Sequence, residues 1–283
     1  MKKLKHYRHY PKSLLILILL ILSAITTFSI LFFLIGYILI KGIPHITPSL
    51  FAFKYTTENV SLFPAIITTI IITLLSLIIA TPISIFTAIY LVEYAKSTNK
   101  LVKIIRITTE TLSGIPSIIY GLFGLLFFVT YLRWGFSIIA GTLTLSIMIL
   151  PLIIRSTEEA LKSVPLSLRE ASFALGAGKL RTIFKIVLPS AIPGIFAGII
   201  LAIGRIVGET AALVYTTGTA AEIPKNLFSS SRTLAIHMYA LSSEGLYINQ
   251  AYATAVILLI TVLLINTISS FLAEKVLKEN QYG

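Results

Sequence analysis

Residues 170–189 read EASFALGAGKLRTIFKIVLP. The Gly178-Lys179 pair inside GAGKL has the look of a phosphate-binding loop. A Walker loop has the form G-x-x-x-x-G-K-[ST], follows a strand and opens a helix. Here Phe173 stands where the first glycine is needed, and Leu180 stands where the Mg²⁺-binding hydroxyl is needed. No parallel-strand pattern precedes the stretch. Both the cradle and the metal ligand are missing, which excludes nucleotide binding by this loop.

A helical reading accounts for the same residues. Ser156-Thr-Glu-Glu159 has the form of a capping box and predicts the start of a short helix. Pro165 suits a first-turn position. Leu168, Ala171, Ser172 and Leu175 recur at i, i+3, i+4 and i+7 and share one face. Gly176 suits a left-handed helix end, and Gly178 loosens the turn that follows. A second, basic helix places Leu180, Ile183, Phe184 and Val187 on its apolar side and is expected to break at Pro189. The unit is a helix–glycine–helix elbow. Two readings of it stand: a membrane-surface loop resting on lipid or neighbouring helices, and a docking helix for a separate partner.

Composition places this elbow in a membrane protein. Hydrophobic residues make up 56% of the 283 and charged residues 12%, against about 25% charged in soluble domains. There is no cysteine, so disulfides and thiolate metal sites are excluded. All 11 acidic residues are glutamate, and His6, His9, His45 and His237 form no spaced pair. Carboxylate–histidine metal chemistry and an aspartate proton relay have little to work with. No metal or cofactor is expected.

A bilayer core takes about 20 apolar residues per helix. Six stretches qualify: 14–40, 64–91, 112–132, 136–154, 191–215 and 252–272. The first follows the basic MKKLKHYRHYPK but is too long for a signal-peptide core, and it reads as a retained helix, with a cleaved signal as the alternative. With six spans, 17 of the 23 Lys and Arg fall on one side, in the N-terminus, loops 92–111 and 155–190, and the C-terminus. Five fall on the other side (Lys41, Lys54, Arg133, Lys225 and Arg232), and Arg205 lies within a span. The positive-inside rule then expects both termini and the elbow in the cytoplasm. The net charge of +12 is a topology signal, with no nucleic-acid partner expected.

The elbow resembles the EAA loop of ABC importer permeases, whose pattern is E-A-A, three residues, G, nine residues, I-x-L-P. Glu170-Ala171-Ser172, Gly176 and Ile186-Val187-Leu188-Pro189 keep both spacings, with Ser172 replacing the second alanine. SGIPSIIYGLFGLL (113–126), STEEALKSVP (156–165) and GRIVGETAAL (204–213) resemble the phosphate permeases of the Pst system. IYLVEYA (89–95) and NLFSSSRTLAIHMY (226–239) are closer to its A-type subunit. The resemblance implies an all-α integral membrane fold of the MetI-like type I ABC permease kind, with six transmembrane helices. It divides the chain into an N-terminal segment with the first helix and outer loop (1–60), a permease domain (61–275) containing the EAA loop (156–189), and a tail (276–283). It further implies that Glu170, Ala171, Ser172, Gly176, Ile186, Leu188 and Pro189 couple to an ATPase. The implied partners are a homologous PstC-like permease, a PstB-like ATP-binding dimer, an extracytoplasmic PstS-like phosphate-binding protein, inorganic phosphate and membrane lipid. The chain itself is then no enzyme.

One expected span carries charge. In GRIVGETAALVY, Arg205 and Glu209 stand at i, i+4 and are expected on one helical face. Ionisable groups at membrane depth usually face a bundle interior or a wet cavity. Gly204 and Gly208 have small-xxx-small spacing, which permits close helix approach, and Thr210 adds a hydroxyl. Arg205 and Glu209 either neutralise each other or meet a third partner. A guanidinium suits an oxyanion because its planar fork offers two parallel donors. Arg205, Glu209, Thr210 and Gly208 are therefore the candidate translocation residues.

Pro82, Pro116, Pro151 and Pro193 read as kinks. Tyr90, Tyr131, Trp134 and Tyr215 fit an aromatic belt. The outer loop 216–250 reads either as a receiver for a binding protein or as a connector. Rival classes are a secondary transporter, a membrane enzyme, and an ABC permease for sulfate, molybdate or phosphonate.

Overall fold

The computed structural model describes residues 11–95 and 99–282. The basic N-terminal stretch 1–10 and Lys96 lie outside the described residues. Those described form helices and connecting turns without a strand. In chain order the helices are α1 Pro11–Gly42, α2 Phe63–Tyr94, α3 Lys100–Ser113, α4 Ser117–Tyr131 and α5 Ile138–Ser163. The second half holds α6 Leu166–Ala174, α7 Lys179–Val207, α8 Ala211–Val214, α9 Leu234–Glu244 and α10 Ile248–Tyr282.

Five helices (α1, α2, α5, α7, α10) are long and apolar enough to cross a membrane. The sixth expected span, 112–132, is not straight. The chain bends by 103° between α3 and α4. The bend falls at Gly114-Ile115-Pro116, because Pro116 donates no N–H and disfavours a helical residue before it. The expected loop 92–111 is largely helix α3, with Ile104 and Ile107 exposed and Val102 buried.

Three further expectations are corrected. Ser156–Glu159 caps nothing, since α5 runs unbroken through it to Ser163. Pro189 does not break α7: the preceding turn, Ile183–Val187, widens to π geometry, and the helix continues to Val207. The expected span 191–215 stops at Val207, and residues 208–210 separate it from α8.

The core is the packing of α2, α5 and α7, through Ile72, Leu145, Ile149, Ile153, Ala202 and Ile206. Close approach of α7 to α5 uses Gly194 and Gly198 against Ala160 and Ser156; a Cβ on Gly194 would sit 2.6 Å from the Ala160 Cβ. Gly204 and Gly208 play no such part, since a Cβ on Gly204 would meet nothing within 4 Å. Helix α1 lies outside this bundle against α10, where the rings of Tyr37 and Tyr252 meet edge to face at 5.9 Å.

The stretch after α8 has a structural task. The first N–H groups of a helix have no partner within it. Ile138 N and Ile139 N, at the start of α5, donate to the carbonyls of Ser229 (3.1 Å) and Leu227 (2.9 Å). Ser137 N donates to Thr216 O at 3.0 Å. Residues 216–229 thus close the end of α5 opposite the elbow.

Candidate functional site

The elbow takes its shape from three local devices. Pro165 immediately precedes α6. At the far end Ala177 N donates to Ser172 O (3.1 Å) and Gly176 N to Phe173 O (2.9 Å), the paired bonds of a Schellman end. Gly176 has φ +80°, which a side chain resists. Across the turn, the hydroxyls of Ser172 and Thr182 lie 2.8 Å apart, both buried. An alanine at 172 would leave Thr182 without that partner, so the departure from the E-A-A pattern has a physical role here.

Two contacts tie the elbow to the bundle, and periodicity gave no hint of either. Arg169 donates through Nε (3.2 Å) and Nη2 (2.9 Å) to Glu93 Oε1, at the end of α2. It also donates to the carbonyls of Val164 (2.7 Å) and Leu161 (2.9 Å). Lys179 Nζ stands 4.6 Å from the ring centre of Tyr94. Glu93 and Tyr94 belong to IYLVEYA, so a stretch noticed only for its resemblance supplies the anchors. Beside them, Glu158 on α5 accepts from Arg106 of α3 (2.8 Å) and from Lys162 (2.7 Å).

The outward side of the elbow stays uncovered. Ser172 turns inward, whereas Leu168, Ala171 and Leu175 from the same expected face are exposed. Leu175 is 88% exposed, Leu166 65% and Leu180 63%. Glu170 is also exposed, and Ile186, Leu188 and Pro189 are half-buried where α7 enters the bundle. Of the second helix's expected apolar side, Ile183 and Val187 are buried, while Leu180 and Phe184 join the exposed patch. An exposed apolar patch of this kind marks a contact surface for a protein or a membrane.

The charged pair is not a pair. Helix α7 ends before Glu209, so Arg205 and Glu209 do not share a helical face, and among the described residues no ion pair joins them. Glu209 is buried, and its Oε1 accepts from Ala212 N at 3.0 Å, holding the start of α8. Gly208 is the exposed cap of α7, and half-buried Thr210 immediately precedes α8, its side chain making no cap hydrogen bond. Arg205 instead faces an open cavity bounded by Leu152, Leu201, Gly204 and Asn266. Asn266 Oδ1 is buried there without a hydrogen bond. Sequence reasoning passed over Asn266; its only signal is a carboxamide inside the last apolar run. The four candidate translocation residues therefore divide into Arg205 on the cavity and Glu209 with its neighbours on the α7–α8 turn.

The sequence model of the family described as "Binding-protein-dependent transport system inner membrane component" matches residues 80–278. The chain is 35% identical over 275 residues to a Bacillus subtilis (strain 168) protein named "Probable ABC transporter permease protein YqgI", covering 89% of this chain and 91% of that one. It is 44% identical over 167 residues to the Mycobacterium bovis "Phosphate transport system permease protein PstA 2", covering 59% of this chain and 55% of that one. Among solved structures, a chain of the bacterial alginate ABC transporter in complex with an alginate-bound periplasmic protein superposes with a TM-score of 0.70. The match has 16% identity and covers 96% of this chain and 98% of that one. A chain of the inward-facing MetNI methionine ABC transporter gives a TM-score of 0.59 at 21% identity, covering 76% and 94%. At these identities the superpositions establish the fold.

Proposed function

This chain belongs to the binding-protein-dependent transport inner membrane component family, and we propose that inorganic phosphate is the cargo it admits. It is a permease subunit of an ABC importer, a multi-pass membrane component and a transport part rather than a catalyst. In the proposed complex a second, PstC-like permease completes the pathway. A PstB-like ATPase dimer supplies energy, and a PstS-like extracytoplasmic protein delivers phosphate. Both termini and the elbow face the cytoplasm, in keeping with the lysine and arginine distribution. Residues 61–275 act as the permease domain.

Phosphate as cargo is supported by the likeness to the PstA 2 protein, and the observation that carries coupling to an ATPase is the elbow. Its turn is fixed by Gly176, Ser172–Thr182 and Arg169–Glu93, and yet Leu175 is 88% exposed at its tip. An apolar tip on a rigid mount suits insertion into a cleft of the ATPase. Movement of the ATPase halves would then pass through Arg169 into α2 and through α7 towards Arg205. Arg205 provides the positive charge on the path, with Asn266 beside it.

Uptake of labelled phosphate in cells lacking this chain tests the cargo, beside labelled sulfate and molybdate. Selective loss of phosphate uptake is expected. Intact phosphate uptake with loss of another oxyanion would transfer the assignment to that oxyanion.

A further inference from the structure

At the end of the bundle opposite the elbow, the chain buries a cation without an anion. Arg232 is 6% exposed, and its Nε and Nη2 are buried without a hydrogen-bond partner. The chain has no aspartate, and among the described residues no glutamate forms an ion pair with Arg232. The ring of Tyr55 lies under the guanidinium, 4.7 Å from Cζ, which offsets part of the cost of burial. A buried charge still needs a matched acceptor.

The two orphaned nitrogens are informative. Nε and Nη2 form one edge of the guanidinium, with parallel donors that match two oxygens of a tetrahedral oxyanion. Arg169 uses this same edge, Nε and Nη2, to hold Glu93. Arg232 presents it to nothing. His237, fully buried and edge-on to Tyr55 at 6.3 Å, has only a weak hydrogen bond with the Val60 backbone for its ring nitrogens. Burial, and then the Arg232 charge, push its pKa down to about 3 against a smaller opposing pull from the Val60 backbone, so the ring is neutral.

We propose that Arg232, with Tyr55 and His237, forms an occluded phosphate station at the outer end of the permease, separate from Arg205. The station rests on the reading of the chain as a phosphate importer. Its walls are tied to the mouth of α2: Ser231 Oγ lies 2.7 Å from Thr68 Oγ1, and Leu234 N donates to Thr69 Oγ1 at 2.9 Å. The donor edge is closed off in this conformation, so phosphate reaches it when the segment bearing Tyr55 shifts. That segment contains Val60, buried with φ +45°, a strained backbone state that a β-branched residue resists.

The test uses the complete complex in proteoliposomes, with Arg232→Lys and Arg232→Gln. Lysine keeps the charge over Tyr55 and loses the paired donors. Both variants are expected to co-purify with the partner subunits and to lower phosphate accumulation about tenfold or more. Wild-type accumulation by Arg232→Lys would overturn the station, since a charge alone would then suffice. Failure of either variant to co-purify would overturn it too, by making Arg232 a contact between subunits. Hydrogen exchange on the unaltered complex stands apart from any folding defect. Phosphate is expected to slow exchange in 52–62 and 226–239, and unchanged exchange would overturn the proposal. If the unaltered complex carries sulfate instead, the cargo reading falls, and loss of sulfate accumulation in both variants would still support an oxyanion station.

Discussion

Arg169 on the elbow and Glu93 at the end of α2 are 76 residues apart in sequence and 2.9 Å apart in space. Their side chains are 13% and 10% exposed. Breaking a largely buried pair by removing one partner costs about 3 kcal/mol, because the remaining charge stays desolvated. Glu93→Gln should therefore lower the melting temperature of the purified complex and weaken stimulation of ATP hydrolysis by the binding protein. Unchanged values for both would show that the anchor is dispensable.

The two glycines of GAGKL should behave differently. Gly176 has φ +80° and open space around it, so any cost of Gly176→Val is backbone strain, about 1–2 kcal/mol. Gly178 has φ −73° and equally open space, so Gly178→Ala should fall within about 0.5 kcal/mol of the parent. Coupled ATP hydrolysis should fall for the first and persist for the second. Equal behaviour would remove Gly176 from the coupling argument.

Leu175 packs against almost nothing in the chain itself. Leu175→Glu should leave the permease as stable as before, because no core contact is lost. It should strip the ATPase from the complex during co-purification. Retention of the ATPase would place the docking surface elsewhere.

The division between Arg205 and Glu209 gives two distinct outcomes. Arg205→Ala should abolish uptake with the complex intact, and Arg205→Lys should recover little of it. Glu209→Gln keeps an acceptor for Ala212 N and should be tolerated far better than Glu209→Ala, which orphans a buried donor at about 1–3 kcal/mol. If Glu209→Gln were as damaging as Glu209→Ala, the carboxylate's charge would matter more than its hydrogen bond.

Much of the elbow was legible because its causes are local. A left-handed glycine and a proline before the helix both act within a few residues, whereas the expected apolar faces split between buried and exposed positions. The anchors were not legible: Glu93 and Tyr94 stand at the end of α2, and only tertiary packing brings them to Arg169 and Lys179. The end of α7 is hidden in the sequence for a related reason. GRIVGETAALVY has no proline, and its hydrophobicity runs straight through the turn that Gly208 and the Glu209 carboxylate create. The α3–α4 bend carried its cue in Gly114 and Pro116, but the apolar run around it masked the change of direction. Arg232 stood in the sequence as one of five outer charges and inside NLFSSSRTLAIHMY, where nothing in its neighbours signals burial.

The most direct test of the account is accumulation of labelled phosphate in proteoliposomes holding the complete complex and its binding protein. ATP is compared with a non-hydrolysable analogue, without any ion gradient. The account predicts accumulation with ATP alone, and its loss in Arg205→Ala. Accumulation that needs an ion gradient and ignores ATP would contradict it and make the chain a secondary transporter.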